Sequence, residues 1–137
     1  MSGRSERRSL EYWLALATED LACATTILDL AGTQPRHSVG VASQAAEKAL
    51  KAAVTAVGVK PPRSHDLVAL AHRSSAILRL TVSERDLRRL SDAHEQARYP
   101  ESPKELFDPE EAIELVQVAA LIVHEVTAAL PSAPDVV

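Results

Sequence analysis

An all-α, up-and-down four-helix bundle with an additional short helix is the fold this sequence predicts, on three observations. Alanine, leucine and valine dominate and only 4 of 137 residues are glycine, a composition that favours helix. Apolar residues recur at helical spacing in four stretches. Proline and glycine fall between those stretches, where they stop one helix and open the next. A chain of this length is one domain and buries a core without covalent staples.

The first helix is expected from about Leu10 to Leu30, with Tyr12, Trp13, Leu16, Leu21, Ala24, Ile27, Leu28 and Leu30 at helical spacing. Residues 1–9 are polar and charged and read as a disordered lead-in. Gly32 stops the helix and Gln34-Pro35 opens the next turn. The second helix runs from about His37 to Val57 on Val41, Ala45, Ala49, Leu50, Ala53, Val54 and Val57. Gly58 caps it and Pro61-Pro62 forbids continuation.

Ser64 or His65 starts a shorter helix through Ala71 to Ser75, with Leu67, Leu70 and Ala71 inward. The stretch from Ile77 to Val82 reads both ways. Ser83 is an N-cap for a helix from Glu84 to Ala97 with Leu87, Leu90, Ala93 and Ala97 inside. Pro100 and Pro103 force a loop. Asp108-Pro109-Glu110-Glu111 is the clearest helix start in the chain: a capping aspartate, proline at the first position and a glutamate able to close the capping box. The last helix reaches about Leu130 on Ile113, Val116, Ala120, Val123 and Leu130. Its apolar stripe is wider than one partner covers, which fits a buried helix or one at a dimer interface. The expected organisation is thus a lead-in over 1–9, a bundle over 10–130 and a flexible tail over 131–137.

Charge and composition exclude some functions. A net charge of −4 argues against binding duplex DNA by bulk charge. Aromatic residues are 3% of the chain, too few for base-stacking platforms. The single cysteine rules out an intramolecular disulfide, and the alanine-rich surroundings of Cys23 read as a small buried thiol. No apolar run approaches the ~20 residues of a membrane span. With no signal core after the polar N-terminus, a cytoplasmic location is expected and no membrane partner.

The most distinctive stretch is Ser43-Gln44-Ala45-Ala46-Glu47-Lys48-Ala49-Leu50-Lys51. Its alanines allow close helix approach. Glu47 and Lys51 are four apart and can pair along the helix. Gln44 and Lys48 share that spacing, and the alternative is that they line a ligand groove with Glu47, His65 and Arg98. Glu19-Asp20-Leu21, His65-Asp66-Leu67 and Arg98-Tyr99-Pro100 complete an ordered set of short motifs. Together with Gln44–Lys51, these resemble the signature of HEPN domains (higher eukaryotes and prokaryotes nucleotide-binding), over nearly the whole chain. The resemblance implies a helical bundle that dimerises and associates with nucleotides or RNA. It further implies a minimal nucleotidyltransferase partner in a toxin–antitoxin or defence pair.

Many members of that family are metal-independent endoribonucleases that use an arginine, four to six residues, then a histidine. The arginine steadies phosphate charge and the histidine moves a proton. Arg89 and His94 fit that spacing, although the last helix, the usual place of the motif, begins Asp108-Pro109-Glu110 and carries no arginine. His94 and Arg98 share a helix face, flanked by Ser91 and Glu95, and with Tyr99 offer a nucleotide-sized polar patch. The plainer reading is that they pair with carboxylates of neighbouring helices, and that Tyr99 packs. His65 and His72 are seven apart, but no further ligand completes a metal site. The expectation is no metal and no cofactor. A non-catalytic interaction module and an active endoribonuclease stand as alternatives to the nucleotide- or RNA-associated module.

Overall fold

Five helices follow one another in the described part of the chain, a computed structural model covering residues 3–30, 35–99 and 107–130, with side chains from Leu10 onward. They are α1 (Gly3–Asp29), α2 (Pro35–Ala56), α3 (Leu67–Arg73), α4 (Glu84–Arg98) and α5 (Pro109–Ala129). Four are long and α3 is short, and no strand occurs among the described residues. The all-helical bundle read from the sequence is what forms.

The central strut is α2, which packs against all four other helices. Thirteen of its 22 residues are buried, so it has almost no solvent face. Alanine makes this possible. Ala42, Ala45, Ala46, Ala49, Ala52 and Ala53 are all fully buried, with Val39, Leu50 and Val54 the bulky apolar exceptions. Small side chains let neighbouring backbones come close. A Cβ placed on Gly40 would lie 3.3 Å from the Ala97 side chain of α4, so any larger residue there pushes α2 from α4. Arg36 completes that joint by donating to the Ala97 carbonyl at 2.7 Å, satisfying an acceptor in the last turn of α4.

Helix ends follow their capping residues. Ser83 accepts from the Asp86 amide, and Asp108 from the Glu111 amide with Pro109 at the first position. Gly58 closes α2 with a φ of 84°, in the left-handed region that glycine adopts without strain. The cap of α3 differs from the expectation of Ser64 or His65. Asp66 fills that role, accepting from the Val68 and Ala69 amides, because its carboxylate reaches two free donors. After α3 the chain turns through residues 74–77, with Leu78 buried, and stays non-helical up to the Ser83 cap.

Three expectations change. Helix α1 begins at Gly3 rather than Leu10, since the stretch Ser5-Glu6-Arg7-Arg8 holds no breaker and continues the helix. Cys23 is exposed, not buried, because the inner stripe of α1 passes through Ala17 and Ala24 instead. The apolar stripe of α5 includes exposed members, Ile113 and Leu121, while Ala112, Leu115, Ala119, Ile122 and Val126 form its inner face. By length and mean hydropathy, 1.6 over its best window, α5 would also pass as a bilayer span. In the bundle it packs on α1, α2 and α4. Gly32, Gln34, Pro100, Pro103 and the tail from Pro131 lie outside the described residues.

Candidate functional site

Three segments bring their titratable groups to one point beside α2. Glu47 comes from the middle of α2, His65 from the loop ahead of α3, and His94 from the third turn of α4. Glu47 is 8% exposed and His94 5%, whereas His65 stands largely in solvent. The carboxylate of Glu47 works on both sides. Oε2 accepts from Lys51 Nζ at 2.9 Å, and Oε1 meets His65 Nδ1 in a short hydrogen bond. The His65 and His94 rings stack, with centroids 4.2 Å apart and planes inclined by 24°.

Lys51 is 9% exposed and its ammonium also sits 5.6 Å from the Trp13 ring of α1. The expected Glu47–Lys51 pair therefore forms, but as a buried link between α1, α2 and the His65 loop rather than a surface decoration. Lys48 takes a different partner. It reaches Asp20 of α1, which accounts for both the Glu19-Asp20-Leu21 motif and the exclusion of Lys48 from the His65 cluster. Gln44 is half-buried and makes no side-chain hydrogen bond among the described residues.

Ser91 fixes the His65 loop onto α4. Its hydroxyl donates to the His65 carbonyl at 3.1 Å and accepts from the Leu67 amide at 3.0 Å. One side chain thus satisfies two backbone groups of a segment with little regular structure of its own. Ser91→Ala leaves both without that partner and is expected to cost about 1–3 kcal/mol. Chemical denaturation measures it, and a loss below ~0.5 kcal/mol, the scale of an ordinary surface change, would show that water replaces the hydroxyl freely.

The state of His94 follows from Ser43. The Ser43 hydroxyl donates to the Gly40 carbonyl at 2.8 Å, so towards His94 Nδ1, 3.4 Å away, it can only accept. That arrangement favours the tautomer with its proton on Nδ1 and a lone pair on Nε2. Nε2 is enclosed and makes no hydrogen bond within the described protein. Burial holds the imidazole below its ordinary value of 6.5. His65 and Arg98 push the same way and Glu47 and Glu95 oppose them.

A stability prediction follows with a definite sign. The unfolded chain takes up a proton at His94 as pH falls past about 6.5, while the folded chain resists until its lowered value is reached. This contribution is full above the unfolded value of about 6.5 and is lost as pH falls from there to the lowered folded value. Between about pH 7.5 and about pH 5.5 the wild type should lose more unfolding free energy than His94→Gln. Parallel slopes would mean that His94 titrates normally.

A shallow groove of about 290 Å³ opens over this cluster, with His65, His94, Ser91 and Arg88 on its walls and Asp66, Asp92 and Glu95 around it. Arg89, the arginine proposed from the spacing, points elsewhere. It is held by Asp86 at 3.1 Å and Glu114 at 3.3 Å, and these carboxylates raise its already high pKa. Arg88 lies one position before it, also satisfies the Arg-then-His spacing, and does line the groove. Sequence reasoning passed over it although the same spacing rule admitted it. Arg98 and Tyr99 are exposed and associate with each other, the guanidinium 5.4 Å from the ring. Tyr99 is therefore not a packing residue. Arg98 reaches the cluster only through its charge on His94.

His65 and His72 do not share a site. His72 lines a second groove on the far side of α3, with Leu78, Leu80 and Leu87.

The cluster, the groove and the described residues of the motif segments lie within one bundle, and the profile of the HEPN domain matches the chain over residues 10–129. No curated protein and no solved structure is significantly similar to the chain. That near full-length match, on an all-helical bundle, makes this chain a member of the HEPN family, a family of nucleotide- or RNA-associated helical domains.

Proposed function

We propose that this protein binds a nucleotide or a short single-stranded RNA segment in the groove above His65 and His94, without relying on bulk charge. Family membership supports the ligand class. The observation that carries the location is the meeting of Arg88, Ser91, His65 and His94 at one groove, with Glu47 behind them. Among the described residues Arg88 is the one arginine or lysine on the groove wall, and it would exchange its exposed contact with Glu84, 3.4 Å away, for a phosphate. The surrounding carboxylates of Asp66, Asp92 and Glu95 offer acceptors suited to a base or ribose edge. The setting we propose is a cytoplasmic homodimer working beside a minimal nucleotidyltransferase, as a toxin–antitoxin or defence pair.

Binding of a fluorescent RNA oligonucleotide and of nucleoside triphosphates tests the site. Arg88→Ala should weaken binding at least tenfold and Arg89→Ala should leave it within twofold, the reverse of what the spacing alone suggests. Equal effects of the two would remove the groove as the site. Co-purification with a nucleotidyltransferase encoded beside the gene tests the partner, and separate elution of the two proteins would remove it.

One observation favours a second reading, an endoribonuclease. Burial lowers the pKa of His94 and its Nε2 makes no hydrogen bond among the described residues, both of which suit a general base. In that reading Arg88, not Arg89, would face the phosphate. Cleavage of RNA in chelator that is lost in both His94→Gln and Arg88→Ala would establish it.

A further inference from the structure

We infer that Glu47, His65 and His94 form a binding site for a divalent cation of the zinc class. One donor atom from each of the three lies within 4.8 Å of the other two. Two imidazoles and one carboxylate suit Zn²⁺ or Co²⁺, whereas Mg²⁺ and Ca²⁺ take oxygen ligands. The sequence expectation of no metal rested on His65 and His72 as the available pair. The fold replaces His72 by His94, fifty-one residues from Ser43 in sequence yet in contact with it, and adds Glu47.

The second observation is the bare Nε2 of His94. It is buried, it sits on a ring whose Nδ1 faces the Ser43 hydroxyl at 3.4 Å, and it makes no hydrogen bond within the described protein. A buried acceptor left this way is costly, and a cation satisfies it. The hydrogen-bonded Nδ1 on the opposite edge is the usual support of a ligating histidine, and Lys51 on Oε2 orients Glu47 in the same sense. Lys51 and Arg98 oppose an incoming cation. The groove answers with Asp66, Asp92 and Glu95 against Arg88.

Loading the site requires one movement. Zinc bonds of about 2.0–2.1 Å put tetrahedral ligands roughly 3.3 Å apart, so the donor atoms must draw together. Stacked rings inclined by 24° do not aim their nitrogens at one point. His65 is free to turn, because its side chain is 58% exposed and sits on a loop, while His94 is enclosed. The ion takes the place of the proton between His65 and Glu47 Oε1. An ion on Nε2 and a catalytic base at Nε2 exclude one another, so the loaded protein is a nuclease in its off state or no nuclease at all.

The test uses the full, tag-free chain stripped with chelator. Zn²⁺ titration by calorimetry should show one ion per chain, and Co²⁺ should give the visible bands of a tetrahedral site. His65→Ala, at an exposed position that tolerates truncation, and His94→Gln should each weaken Zn²⁺ binding at least tenfold. His72→Ala and Cys23→Ser should leave it unchanged. Absence of stoichiometric binding, undiminished binding in His65→Ala, or loss in His72→Ala would each overturn the inference. RNA binding by the stripped protein is measured in parallel, so failure of the RNA reading and failure of the metal site are seen separately.

Discussion

Glu47→Ala should destabilise the protein by about 3–5 kcal/mol, because it strands a buried ammonium. Lys51 is 9% exposed and lies between the Glu47 carboxylate and the Trp13 ring. Without the carboxylate, it must either remain charged in a poor environment or drag its end towards water past α1. His65 loses its partner too, but it is exposed and is rehydrated at little cost. The loss therefore comes mainly from Lys51. Glu47→Gln keeps the shape and one acceptor and should cost about 1–3 kcal/mol. Replacing both members, as Glu47→Leu with Lys51→Met, should restore much of what Glu47→Ala removes, since a buried pair is often no better than apolar residues of like size. Denaturant unfolding at neutral pH measures all three. A Glu47→Ala protein within ~1 kcal/mol of wild type would show that Lys51 is solvated where it stands.

The short motifs read from the sequence turn out to be mostly joinery. Asp20 is there to meet Lys48, Asp66 to cap α3, Leu67 to fill the core and Glu47 to hold Lys51 and His65. Helical period and capping residues made the bundle readable, because those signals act over a few residues. The inner stripe of α4, Leu87, Leu90, Ala93 and Ala97, was readable for the same reason, and all four are buried. The site was not readable in that way. Glu47, His65 and His94 are separated by 18 and more residues, and only the packing of α4 on α2 brings them together. A spacing rule singles out two residues on one helix but does not say where each side chain goes. Arg89 satisfies the rule and is tied to Asp86 and Glu114, while its neighbour Arg88 lines the groove. Exposure failed likewise where a helix face was crowded with apolar residues: Tyr12, Leu30 and Ile113 fit the period and still face out.

Leu50→Ala should cost about 2–5 kcal/mol, in the upper half of that range. The cost of deleting a buried side chain depends on how well the surroundings collapse into the space. Here they cannot collapse far. Leu50 is fully buried and its neighbours along α2, Ala46, Ala49, Ala53 and Ala52, have no side-chain length to lend. The facing helices are already held at close distance by those alanines, so their backbones would have to move as units. Val54 is the nearest bulky buried residue on α2 and is β-branched, hence stiff. Leu50→Met, of nearly equal volume, should cost less than about 1.5 kcal/mol. Because Leu50 adjoins Lys51 and lies three residues from Glu47, the cavity also bears on the site: a loosened α2 lets Glu47 drift from His65. Zn²⁺ affinity at a temperature where Leu50→Ala is still folded should then fall although no ligand is altered. Should Leu50→Ala unfold at nearly the wild-type denaturant midpoint, α2 would not be the strut on which the site is built.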